Sequence, residues 1–226
     1  MSDAVVQRLA LADRFCAVAT PDVADGLDRL GHREQTAHGI VRMWDDCPRI
    51  AGRVMPVLLG PDFTYSTTIG TLEAIAVCEP GDVLVFANAG HLDLNCFGSI
   101  AAFCAVRAGI VGTVIDGVTR DLDDMRAQSF PVFAKGVTTT TVRERTGFGG
   151  FGEAVTCSGI DVEPGDWVVG DGSGTIFVPS GDVEAVLAGA EGARAYERAL
   201  RRRIVTGEDP VEAHESMRYD RFGKPA

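Results

Sequence analysis

Apolar residues fall at helical spacing over residues 5–18, with Leu9, Leu11, Phe15 and Val18 among them, and predict an opening helix. Thr20-Pro21-Asp22 supplies a start signal, a capping hydroxyl followed by proline at the first helical position. The helix it predicts covers 22–30, and Gly31 ends it. Residues 49–59 alternate enough for a strand, and 65–77 read as a helix. Pro80-Gly81-Asp82 is a turn into a strand at 83–87. A helix rich in small residues over 98–108 stops at Gly109, a buried strand follows at 111–115, and a short helix at 121–128. Further strands are predicted at 132–133, 137–142, 155–157, 167–169 and 175–178, the last two joined by a hairpin signal in Gly170-Asp171-Gly172-Ser173-Gly174. A last helix runs over about 182–205.

Strands that alternate with helices early and form hairpins late predict a mixed α/β sandwich, not a doubly wound parallel sheet. No stretch of the 226 residues reads as a linker, so one domain spans 1–226, with its core over about 18–180 and a helix and tail over 182–226. At 46% hydrophobic and 23% charged, the chain can bury a substantial core.

A net charge of −11 argues against nucleic acid, which needs clustered Lys and Arg. The one basic cluster, Arg198 with Arg201, Arg202 and Arg203, reads as a solvated or subunit-facing helix surface. Cys16, Cys47, Cys78, Cys96, Cys104 and Cys157 are scattered without metal-ligand spacing, which suggests reduced thiols in a cytoplasmic protein. The N-terminus has no signal-peptide pattern, and the most apolar stretch is broken by Arg107 and two glycines, so no membrane span is expected. His32, His38 and His214 read as unpaired surface residues, and Gly147-Phe148-Gly149-Gly150-Phe151-Gly152 as a mobile loop or a pocket lid.

Chemistry concentrates between Asn95 and Asp124. Gly98 opens a helix, so the amides of Ser99, Ile100 and Ala101 are free donors able to hold a carboxylate. A strand-to-loop junction then delivers Arg120 and Asp121 side by side. The guanidinium offers a fixed fork to a carboxylate or keto oxygen, and the aspartate can ligate a hard divalent cation. From spacing alone the pair also reads as a surface ion pair, or Asp121 as a helix cap.

The segment Ala108-Gly109-Ile110-Val111-Gly112-Thr113-Val114-Ile115-Asp116-Gly117-Val118-Thr119-Arg120-Asp121 resembles the RGVxGxVxDGxxRD core of the RraA-like family. Phe130-Pro131-Val132-Phe133-Ala134-Lys135-Gly136 is similar to its FPVFARG, and Glu79-Pro80-Gly81-Asp82-Val83-Leu84-Val85 to its RPGDVLV. Gly159-Ile160-Asp161-Val162-Glu163-Pro164-Gly165-Asp166 is similar to its GxxVxPGD, and the likeness spans about 18–210. The family contains RraA, a regulator of RNase E, and class II pyruvate aldolases acting on 4-hydroxy-4-methyl-2-oxoglutarate and 4-carboxy-4-hydroxy-2-oxoadipate. The resemblance implies a swivelling β/β/α sandwich with a mixed sheet and a C-terminal helix. It also implies a homotrimer or homohexamer with sites between subunits.

Carried over by position, the resemblance makes Asp121 a ligand of Mg²⁺ or Mn²⁺ through waters and Arg120 the residue that holds a 2-oxo acid. The amides of Gly98, Ser99, Ile100 and Ala101 would bind that acid's carboxylate. Asp124 matches a further acidic position. Glu197 resembles a glutamate that reaches a neighbour's metal waters, with a plain helix surface as the alternative. Where the aldolases carry an acid, this chain has Ser99. His91 and Asp93, just upstream, are candidates for a substituted acid or base, with a surface loop as the alternative for His91.

The function implied is a metal-dependent lyase that cleaves or decarboxylates a short 2-oxo acid through a pyruvate-type enolate. Two alternatives stand beside it: a non-catalytic protein-binding regulator, whose acidic surface suits a basic partner, and a hydrolase or isomerase of a 2-oxo sugar acid on the same scaffold.

Overall fold

The computed structural model describes residues 2–217. Helix α1 (Asp3–Cys16) starts where the Ser2 side chain accepts the Val5 amide. Helix α2 (Thr20–Arg29) begins with Ala19 in the cap position, not Thr20. The Asp22 carboxylate takes the Ala19 amide at 2.8 Å, which frees the Thr20 hydroxyl to donate to buried Asp171. Strands β1 (Val41–Arg42) and β2 (Ile50–Gly60) follow, then α3 (Thr67–Val77), β3 (Asp82–Ala87), α4 (Ser99–Ala108) and β4 (Gly112–Thr119). After α5 (Leu122–Ala127) come β5 (Val132–Val137), β6 (Gly147–Phe151), β7 (Val155–Cys157) and β8 (Ile160–Val162). The hairpin β9 (Trp167–Asp171) and β10 (Gly174–Val178) precedes α6 (Val183–Val205) and α7 (Pro210–Met217).

Strands β2, β3, β4 and β5 run parallel, while β1, β6, β9 and β10 join antiparallel, in the order β1-β5-β4-β3-β2-β9-β10 with β6 on β2. The sheet is mixed, as the pattern predicts, and it nearly closes. Residues 35–37 hydrogen-bond to β10, and the chain then passes directly into β1 against β5, so one segment bridges the two ends.

Side-chain alternation divides the core into layers. Val83, Val85, Val114, Phe133, Val168 and Phe177 point inside the curved sheet. Leu84, Phe86 and Ile115 point outward under α3, α4 and α5. Trp167, Val169 and Ile176 meet Phe15 of α1 and the facing helices α2 and α6. Phe97 is buried between Phe86 and Phe130, with ring centroids 5.5 and 5.7 Å away. Burial of such a ring contributes roughly 1.5–3 kcal/mol, and this one anchors the chain just before Gly98.

Several expectations are corrected. Residues 138–142 form no strand; Asn95 draws them inward, donating its amide to the Thr140 carbonyl and accepting the Val142 amide. The glycine-rich 147–151 is strand β6, because Phe63 packs where Cβ atoms of Gly147 and Gly149 would stand. His32 is not unpaired, since it meets Asp182 at 2.9 Å, and His214 contacts the Pro210 carbonyl. Within the basic cluster, Arg201 pairs with Glu197 and Arg203 with Glu208. Part of the expected tail, 218–226, lies outside the described residues. No helix among the described residues is long and apolar enough to cross a membrane.

Candidate active site

The site is built where β4 ends beside the start of α4. Residues 95–97 run along the last residues of β4: Cys96 donates to Val118, the Thr119 hydroxyl donates to the Phe97 carbonyl at 2.9 Å, and the Arg120 amide reaches the same carbonyl at 3.4 Å. This brings Gly98 against Arg120-Asp121. A Cβ at Gly98 would stand 2.7 Å from Asp121 Oδ2 and 3.4 Å from Arg120 Nε. The glycine is needed for that approach, not for its extended backbone angles.

Asp121 occupies the cap position of α5 in the left-handed conformation, φ 59°, without a capping bond to its own helix. Its carboxylate turns across to α4 instead. Oδ2 accepts the Ser99 amide at 3.1 Å and the Ser99 hydroxyl at 3.3 Å. This corrects one expectation: the Ser99 amide is not a free donor, because Asp121 already uses it. The amides of Ile100 and Ala101 remain without intrahelical acceptors, as at any helix start. Arg120 Nε lies 3.4 Å from Asp121 Oδ2, yet it makes no hydrogen bond within the described chain.

Arg120, Asp121 and residues 98–101 line one cavity of about 320 Å³. Thr67, Thr68 and Thr71 of α3 also line it, with Thr141 and Arg143, whose segment is held by the Asn95 tie. Arg120, Arg143 and Asp121 are the charged residues lining it, so the described cavity carries more positive charge than negative and suits an anion. Cys96 also borders it, but burial pushes its thiol up to about 12, so it is protonated and no nucleophile at neutral pH.

Other predicted residues lie elsewhere. His91 and Asp93 are exposed on the loop after β3, and Asp124 is exposed on α5; none lines the cavity. Glu197 sits on α6, paired with Arg201 at 2.7 Å and 3.9 Å from Arg194, in the layer that packs on α2. The sequence pattern does not single out Thr67, Thr71 or Arg143, which line the cavity as well. The one-turn spacing of the two threonines was a usable sign, whereas Arg143 reaches the cavity only through the Asn95 tie.

A family model described as RraA-like, aldolase/RraA, matches residues 20–177. A protein of Halalkalibacterium halodurans, provisionally named a 4-hydroxy-4-methyl-2-oxoglutarate aldolase, is 30% identical over 193 residues, covering 84% of this chain and 87% of its own length. An uncharacterised Pseudomonas syringae protein of known structure superposes with a TM-score of 0.82 at 29% identity, over 91% of this chain and 97% of that one. Streptomyces coelicolor RraAS2, described as an unusual member of the RNase ES inhibitor RraA family, gives 0.76 at 25% identity, over 86% and 98%. With its motifs, its nearly closed mixed sheet and this match, the chain belongs to the RraA-like family.

Proposed function

We propose that this chain is a carbon–carbon lyase that cleaves or decarboxylates a short 2-oxo acid through a pyruvate-type enolate. The observation that carries the reading is the convergence of Arg120, Asp121 and the start of α4 on one cavity. Arg120, whose side chain is about a third exposed and lines the cavity, turns its guanidinium fork to the 2-oxo acid, and the Ile100 and Ala101 amides receive the carboxylate. As a carbon–carbon bond breaks, negative charge gathers on the former keto oxygen, and Arg120 stabilises it. Asp121 is the one carboxylate lining the cavity among the described residues and is the chain's own proton-handling group.

A hard cation that keeps several waters requires one or two carboxylates. Asp121 supplies one: its Oδ2 serves Ser99, and its Oδ1 has no bond within the described chain. No group of three acidic, histidine or cysteine ligands occurs among the described residues. The donor set therefore fits Mg²⁺ or Mn²⁺ held by Asp121 together with substrate oxygens. When bound, such a cation supplies Lewis acidity at the 2-oxo group. Replacement of Ser99 by Asp adds a second carboxylate beside Asp121 and should tighten Mn²⁺, read by calorimetric titration without substrate. Unchanged Mn²⁺ affinity would remove the cation from this position.

The test of the lyase reading is a screen of 2-oxo acids with Mg²⁺ or Mn²⁺ added and pyruvate release as the readout. Arg120→Ala and Asp121→Ala should each lower the rate about 10²-fold or more. No pyruvate from any 2-oxo acid would overturn it. The engagement of Asp121 by Ser99 favours a second reading, a non-catalytic regulator that docks a basic protein partner. Its mark is a silent screen combined with partner binding that Asp121→Ala leaves intact.

A further inference from the structure

We infer that Asn95 is a positioning residue for the candidate site: its side-chain oxygen holds Arg143 on the cavity, and the cavity's affinity for an anion depends on that bond. The inference rests on the lyase reading only in taking the cavity as the place where an anionic ligand binds.

Asn95 is 5% exposed and stands three residues before Gly98. Its backbone joins two segments. It bridges to Val118 near the end of β4, the strand that delivers Arg120 and Asp121, and its amide donates to the Thr140 carbonyl at 3.1 Å. The chain leaving β5 is fastened once more at Thr138, whose amide donates to the Thr119 carbonyl at 2.9 Å. Both of these backbone ties lie at or before residue 140.

Beyond that point the chain turns on itself. The Arg143 amide donates to the Thr141 hydroxyl, and the Arg145 guanidinium to the Thr141 carbonyl. The amides of Arg145 and Thr146 donate to the Val142 carbonyl. Among the described residues, the turn 141–146 makes one hydrogen bond to the rest of the chain, from the Val142 amide to Asn95 Oδ1 at 3.2 Å. Val142 is buried, so loss of that acceptor would leave its amide unbonded away from bulk water and favour lifting of the turn. Arg143 follows directly on this bond. With Arg120 it supplies the positive charges that line the cavity, against the carboxylate of Asp121. If the turn lifts, Arg120 is left balanced by Asp121, and the excess positive charge that suits an anion is gone.

The probe is oxalate, a planar dianion shaped like a pyruvate enolate, bound in a calorimetric titration at low and at moderate salt with no metal added. Arg143→Ala should weaken oxalate about tenfold at low salt and less at higher salt, where an exposed charge is screened. Asn95→Ala should weaken it by a similar factor with the same dependence on salt. In a double-mutant cycle Asn95→Ala should add nothing to Arg143→Ala, because it acts through that residue. A general loosening of the fold would instead weaken oxalate in both backgrounds. Trypsin gives a second readout without ligand. Asn95→Ala should be cut after Arg143 and Arg145 about five- to tenfold faster than wild type, the effect of one lost hydrogen bond on local opening, with cutting elsewhere unchanged. Asn95→Leu, which nearly keeps the volume but lacks the acceptor, provides both readouts if Asn95→Ala does not fold. Additive losses in the cycle, an unchanged rate of cutting after Arg143, or a wild type that does not bind oxalate overturns the inference. A silent pyruvate-release screen with oxalate binding and the cycle preserved would sink the lyase reading and leave this one standing.

Discussion

A methyl group at position 98 would stand 2.7 Å from Asp121 Oδ2, the same oxygen that accepts the Ser99 amide and hydroxyl, so Asp121 can move away only by giving up those bonds. Gly98→Ala should therefore displace the carboxylate and Arg120 by close to an ångström, an error that costs about 10²-fold where reacting groups must be aligned. The backbone at Gly98 is extended, which alanine adopts freely, so the thermal midpoint should move little. Activity or 2-oxo acid affinity measured beside thermal unfolding checks this; a large loss of stability with ligand affinity intact would contradict it. The thiols give a second residue-level expectation. Burial raises Cys96 and Cys157 to about 12, so their thiolates are scarce at pH 8. In the native protein both should stay unreactive toward a disulfide reagent at pH 8 and react once urea unfolds the chain. The sign of the linkage follows: a raised folded-state value gives stability that is full below the unfolded thiol range, near 8.5, and is lost as pH climbs toward 12. Replacing Cys96 by Ala should flatten the alkaline decline of the unfolding midpoint, and an equal decline in the variant would count against it.

Among the elements, one turn is used twice. Glu79-Pro80-Gly81-Asp82 and Glu163-Pro164-Gly165-Asp166 each place glycine at positive φ, 90° and 96°. In each, the aspartate carboxylate accepts the glutamate amide, at 2.8 and 2.9 Å. Each then feeds a strand that pairs with β2, β3 in parallel and β9 antiparallel. Their loads differ. Asp82, 1% exposed, also takes both Nε and Nη2 of Arg53, whereas Asp166 takes only the Ser180 amide besides. Asp82→Asn should cost about 2–3 kcal/mol, discounted because nearly a third of Arg53 reaches solvent, and Asp166→Asn about 1 kcal/mol. Urea unfolding of the two variants measures the ordering, and the reverse order would refute the assignment. These turns were legible because proline and glycine impose them locally. The start of α4 and the Arg120-Asp121 junction were legible for the same reason. Strand β6 was not: its glycines read as loop, and only Phe63, nearly ninety residues earlier in the chain, gives them a reason to be there. The run 138–142 misled in the opposite sense. Threonines and valine favour a strand, but Asn95 takes the backbone bonds a strand would need.

At the scale of the molecule, closure of the sheet depends on residues 35–42 spanning from β10 to β5, a long-range pairing that no local pattern announces. Closure leaves α4 on the outside, and its outer face is apolar. Ile100, Phe103 and Val106 are 71%, 53% and 44% exposed at helical spacing, and Ile69 and Val77 of the adjoining α3 are 48% and 56% exposed. Scattered exposed apolar side chains are ordinary, but a stripe at helical spacing beside a helix with exposed apolar residues of its own suits a contact surface. The stripe begins at Ile100, which also lines the cavity, so whatever covers it borders the site. We therefore expect self-association through α4, in the trimer or hexamer implied by the sequence resemblance, with a neighbouring chain closing the cavity's rim. Phe103→Glu puts a charge at the centre of that stripe without touching the buried side of α4, where Ala102 and Ala105 face the core. Multi-angle light scattering should give three or six chain masses for wild type and a smaller species for Phe103→Glu, with far-ultraviolet circular dichroism unchanged. The same variant should lose ligand affinity in step with its loss of assembly. Wild type running as a monomer at micromolar concentration would end the argument, and with it any role for Glu197 at a neighbour's site, since within its own chain Glu197 lies outside the cavity lining and binds Arg201.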